Sequence, residues 1–148
     1  MVKQIVCAVL MAMLAGCSYA SFSGYASFSE TVGGNMPAQL KTFSVGEFTG
    51  SDPALAQLFA RTIKNEFEKA GFPFKENNPD FILNGIARSS GLEPGNWVLM
   101  VMDPNDKEIG NVQFSDGWGI VVSGRELPNV AKELSKRMIR LINARQTH

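Results

Sequence analysis

The sequence predicts an α+β domain in which two amphipathic helices cover one face of a mixed β-sheet, in the order β-α-β-β-β-α. Three observations carry this expectation. Residues 53–70 and 128–144 repeat apolar side chains at helical spacing. Residues 40–48, 81–87, 97–102 and 109–114 are short, rich in apolar, aromatic and β-branched side chains, and separated by Gly, Pro, Asn and Asp. A single strand, then a helix, then consecutive strands and a closing helix suits a layered arrangement rather than a regular alternation.

Ahead of the domain, Lys3 is followed by an uncharged apolar run over residues 5–14. It is too short to cross a bilayer, which takes about 20 apolar residues, and has the build of a signal-peptide core. The run closes on Leu14-Ala15-Gly16-Cys17, which resembles the lipobox of bacterial lipoproteins. That resemblance implies cleavage after Gly16 and acylation of Cys17, so residues 1–16 are expected to be removed. Ser18 stands where the enterobacterial pattern uses Asp for inner-membrane retention, which implies the outer membrane, on its periplasmic side. Each buried methylene contributes about 0.8 kcal/mol, so several acyl chains on one Cys hold a domain durably where one would not. The only other cysteine, Cys7, lies in the segment expected to be removed, so no disulfide is expected.

Residues 17–39 are rich in Ser, Gly and Ala, with Ala-Ser-Phe-Ser occurring twice, and are expected to act as a flexible tether. Phe22, Tyr25 and Phe28 leave open a docking role for the same stretch. Gly33-Gly34-Asn35 lacks the Lys-Ser or Lys-Thr of a phosphate loop. A single domain is expected over residues 40–148.

Its first strand is expected at residues 40–48, where Phe43 and Val45 alternate with Thr42 and Ser44. Asp52 is placed to cap a helix that starts at Pro53, and Gly71 to end it. Leu55, Leu58, Phe59, Ile63, Phe67 and Ala70 form its apolar stripe. The next strand, residues 81–87, is expected to lie parallel to the first, because a helix separates them. Residues 97–102 are apolar at every position, and Asp103-Pro104-Asn105-Asp106 turns the chain back into residues 109–114. Residues 117–122 read either as a short edge strand or as a segment lying across the sheet. The last helix is expected at 128–144, with Val130, Ala131, Leu134, Met138, Leu141 and Ile142 inward.

Charge narrows the function. Thirteen Lys and Arg remain after residue 16 against fourteen Asp and Glu, so nothing marks the chain as a binder of nucleic acid. The C-terminal helix is nonetheless net basic, and Lys132, Lys136 and Arg140 recur every four residues. They form either a solvated face or a stripe for the phosphates of lipid A and anionic lipids. Enzymatic activity is not expected. The only His is His148, and there is no His or Cys cluster for a nucleophile pair or a metal, so no cofactor or metal is expected. Two carboxylate groups keep a hydrolase reading open: Asp103, Asp106 and Glu108 around one turn, and Glu47 with Asp80 near strand ends. The strand at 97–102 poses a different question. Two helices can bury Trp97, Leu99 and Val101, which leaves Val98, Met100 and Met102, with Ile82 and Ile86 beside them, in need of a cover. That cover is a partner, residues 117–122, or simply depth within the sheet.

The order of elements resembles two groups of envelope lipoproteins. Cys17-Ser18-Tyr19 with Phe22-Ser23-Gly24, then Lys41-Thr42-Phe43-Ser44-Val45, the long helix, and Asp80-Phe81-Ile82-Leu83 resemble the LPS-assembly lipoprotein family. Lys41-Thr42-Phe43 with Asn78-Pro79-Asp80 resembles a group of uncharacterised envelope lipoproteins. The first resemblance implies a non-catalytic adaptor or assembly factor in the outer membrane, with an outer-membrane protein or lipopolysaccharide as partner, and the second implies an envelope lipoprotein. The alternatives are a periplasmic binder of lipid or glycan and a carboxylate-dependent glycan hydrolase.

Overall fold

The computed structural model describes residues 26–34, 36–88, 95–116 and 127–146. The strands are β1 (Ala26–Val32), β2 (Phe43–Gly50), β3 (Phe81–Arg88), β4 (Asn96–Met102) and β5 (Glu108–Asp116); the helices are α1 (Pro53–Lys69) and α2 (Leu127–Gln146). They form an α+β fold with a mixed sheet in the order β1-β5-β4-β3-β2. Only β2 and β3 run parallel, joined through α1, and every other pair is antiparallel. α1 packs on β2 and β3, α2 on β4 and β5, and the helices pack on each other, so both lie on one face.

The local signals for α1 are all in use. Asp52 accepts from the Ala54 N–H at 2.8 Å, Pro53 needs no donor in the first turn, and Gly71 takes a φ of 93° just past the end. Ala56, Phe59, Ile63 and Phe67 are buried against the sheet. In the turn after β4, the Asp103 carboxylate accepts from the N–H groups of Asn105 and Lys107 at 2.8 and 2.9 Å, and Asp106 takes a φ of 60°. This turn sends β5 back along β4.

The expected tether over residues 17–39 is corrected at β1. Residues 26–32 are an edge strand with a seven-pair register to β5, from Ala26↔Asp116 to Val32↔Gly110. The small polar residues that read as a spacer occupy one side of an alternating strand, Ser27, Ser29 and Thr31, while Phe28, Glu30 and Val32 point the other way. Four long-range contacts hold that side. Phe28 packs on Phe114 with ring centres 4.9 Å apart, the Arg137 guanidinium lies 4.3 Å over the Phe28 ring, and Glu30 pairs with Arg137 and Arg140 of α2. Met36 and Leu40, between β1 and β2, are also buried in the core. The folded part therefore begins at least fourteen residues ahead of the expected start at residue 40.

The Lys-Thr and Asn-Pro-Asp motifs meet at the start of the parallel pair. Asp80 Oδ2 accepts from the N–H groups of Lys41 and Thr42 at 3.0 and 2.8 Å and from the Thr42 hydroxyl at 3.1 Å. The Thr42 N–H is the largest influence and holds the carboxyl below its ordinary range; burial opposes it, and the Lys41 N–H, the Thr42 hydroxyl and the charge of Lys75 add to the lowering in that order. The clamp sets the β2–β3 register ahead of Phe43↔Phe81. Because the folded pKa is lowered, its contribution is complete above the usual carboxylate range and disappears as pH falls through the lowered value. Asp80→Ala should therefore cost about 1 kcal/mol at neutral pH, as the loss of a helix cap does, and the gap to the parent should narrow on acidification. Urea denaturation at neutral and acid pH checks this, and a gap that widens in acid would reverse the assignment.

Candidate functional site

Along β3 and β4 the side chains alternate between the helices and the opposite face of the sheet. Phe81, Leu83 and Ala87 of β3 and Trp97, Leu99 and Val101 of β4 are fully buried under the helices. Ile82, Asn84 and Ile86, with Val98, Met100 and Met102, point the other way and are half-buried. The register sets Ile82 opposite Met102, Asn84 opposite Met100 and Ile86 opposite Val98. Five apolar side chains thus form a strip two strands wide, and among the described residues no helix lies over it. The residues singled out from the sequence as needing a cover are brought together on this face.

The strip has a polar border. Asn111 and Gln113 of β5 stand beside Met100 and Val98, Ser29 and Thr31 of β1 lie beyond them, and Ser44 and Thr49 of β2 flank Ile82 and Ile86. An apolar centre inside a polar rim is the composition of a specific protein interface. Asn84, the one amide inside the strip, is tied down. Its Oδ1 accepts from the Glu47 N–H at 3.0 Å across the irregularity in β2, and a Cβ at Gly46 would sit 2.2 Å from that oxygen. Only glycine leaves the amide room to reach over.

The expected basic stripe divides. Lys132 and Lys136 line an open groove between α2 and the end of α1, together with Lys69, Glu66 and Asn129. Lys69 is paired with Glu66 at 3.0 Å. Arg140 turns instead to β1, where its Nη2 lies 2.6 Å from Glu30 Oε1, and Arg137 bridges Glu30 and Glu133 at 3.2 and 2.9 Å. Sequence spacing could not reveal Lys69 or Glu30 as neighbours of this stripe, because both come from elements distant in the chain.

Three of the five carboxylates have structural occupations. Asp103 is engaged by its own turn, Glu108 accepts from Asn111, and Asp80 by the clamp. Glu47 is about four residues further along the β2–β3 ladder than Asp80, roughly 13 Å, so the fold does not bring this pair together. Leu14, Ala15, Gly16 and Cys17, and the alternative cover at residues 117–122, lie outside the described residues.

The chain matches no protein-family model and no curated protein. Its fold does match solved structures. A DUF4136 family protein from Bacteroides thetaiotaomicron aligns with a TM-score of 0.57 and 8% identity, over 81% of this chain and 98% of that one. The PelC dodecamer from Paraburkholderia phytofirmans aligns with a TM-score of 0.53 and 14% identity, over 79% and 96%. A PDZ domain protein from Parabacteroides distasonis aligns with a TM-score of 0.54 and 14% identity, over 78% of this chain and 37% of that one. At these identities the likeness extends to the fold, and the chain shares with these bacterial proteins one arrangement of helices on a sheet.

Proposed function

We propose that this chain is a lipid-anchored envelope protein that acts without catalysis, as an adaptor or assembly factor in the outer membrane, and that it meets its partner through the open face of the sheet. The observation that carries this reading is the polar-rimmed strip of Ile82, Ile86, Val98, Met100 and Met102. The anchor rests on the resemblance of Leu14-Ala15-Gly16-Cys17 to a lipobox, and a role in lipopolysaccharide assembly on the resemblance of Lys41-Thr42-Phe43 and Asp80-Phe81 to that lipoprotein family. The Asp80 clamp gives those two motifs a structural reason, so they support the fold more than a particular partner. A second reading, assembly with copies of itself, is favoured by the dodecameric state of PelC.

The test is to solubilise envelopes and capture the acylated protein, comparing the parent with Met100→Glu/Met102→Glu. Both methionines are half-buried on the open face, so the double variant should keep the circular dichroism of the parent. The parent is expected to bring down an outer-membrane protein and the variant to lose it. If copies of the chain are the partner, the parent should be oligomeric in detergent and the variant monomeric. A variant that unfolds, or keeps every associate of the parent, removes the open face as the interaction surface.

A further inference from the structure

β1 changes what the anchor can do. With residues 26–32 built into the sheet, nine Cα-to-Cα steps remain between Cys17 and Ala26 in place of a tether reaching to residue 39. At most they span about 30 Å.

The sheet determines where that short connection arrives. Ala26 pairs with Asp116, Asn96 with Ser115 and with Arg88, and Gly50 with Ala87. These residues, with the start of α1 at Pro53, mark one end of the sheet. Val32, Phe43, Phe81, Met102 and Glu108 mark the other, where the Asp103 turn projects.

We propose that the end marked by Gly50, Arg88, Asn96 and Asp116 faces the lipid bilayer that holds Cys17, so that the sheet stands upright on the membrane with the Asp103 turn pointing away. This rests on the reading of Cys17 as a lipid anchor. Reach favours the upright pose over the inverted one. β1 alone is about 20 Å long, so placing the far end on the bilayer would make the connection run back past the whole strand. That takes at least two thirds of the roughly 30 Å the connection can span, whereas the upright pose needs little of it. The open face then stands across the membrane plane. The row of Ile86 and Val98 lies nearer the bilayer and the row of Ile82 and Met102 about 13 Å further out. A partner rooted in the same membrane can lie alongside both.

The experiment uses the full acylated chain in vesicles of phosphatidylethanolamine and phosphatidylglycerol that carry a headgroup-dye lipid as energy acceptor. Ala54→Cys places a donor dye at the end proposed to face the bilayer, and Asn105→Cys places one on the far turn; both positions are exposed. Transfer should be severalfold stronger from Ala54→Cys than from Asn105→Cys. A Gly-Ser stretch of about 20 residues inserted after Tyr25 should abolish most of that difference, because the average reach then exceeds the length of the sheet. Equal or reversed transfer in the chain of natural length overturns the orientation. The mass of the same protein separates the two ways of failing. An acylated chain with equal transfer overturns the orientation alone, and a chain without acyl groups overturns the anchor and the orientation with it.

Discussion

Cys17→Ser should reduce incorporation of a fatty-acid probe to background and leave the chain longer by residues 1–16. Acylation needs a nucleophile that ionises near neutral pH, which a thiol does and a hydroxyl does not. The lipoprotein peptidase acts on the acylated precursor, so cleavage should fail along with the label. A mature chain released without acyl groups would have only its surface to hold it. At about 0.8 kcal/mol per buried methylene, the loss of several acyl chains removes the whole durable term of membrane binding. Folding should be indifferent to the change, because Cys17 precedes β1 and the described core contains no cysteine. Metabolic labelling followed by mass measurement reads both effects, and label retained on the Cys17→Ser protein would exclude the lipobox.

Elements that rest on local chemistry were legible in the sequence, and those held by distant residues were not. α1 runs from Pro53 to Lys69, as Asp52, Pro53 and Gly71 predict, because a cap, a first-turn proline and a left-handed stop act within a few residues of themselves. β3, β4 and β5 were visible as dense apolar runs, and the Asp103 turn as a side chain satisfying its own backbone. β1 was not, because nothing within it outweighs the ordering entropy of Ser and Thr. Its partners are Phe114, Arg137 and Arg140, the last 110 residues away. The alternation of Ser27, Ser29 and Thr31 with Phe28, Glu30 and Val32 was present in the sequence, but with a Glu on the inward side it did not read as a buried strand. The open face was legible for the opposite reason. An apolar run with no polar position must place half of its side chains on each side of the sheet, and the neighbouring Ile82 and Ile86 follow from the same period. The partition of the basic stripe depended on Glu30, and so on β1.

Phe67→Ala should be the most destabilising single change in the domain. Phe67 is fully buried, and its ring centre lies 5.4 Å from Phe43, 5.6 Å from Phe72 and 6.0 Å from Phe81, so it joins the end of α1 to the first residues of both parallel strands. Truncation loses the transfer energy of the ring and leaves a cavity walled by three other aromatics, with an expected cost of about 3–5 kcal/mol. A domain of this size has a total stability of roughly 5–15 kcal/mol, so the change consumes a large part of it and should lower Tm by about 10–25 °C. Phe67→Leu keeps most of the volume and should cost considerably less. The contrast with Met100→Glu/Met102→Glu is what gives the measurement its force. If the open face is a surface for another molecule, two charges placed there should disturb thermal unfolding of the isolated domain far less than one missing ring at Phe67. A larger loss of Tm from the methionine pair than from Phe67→Ala would mean that the chain itself covers that face, and the partner would then have to be sought on the helices.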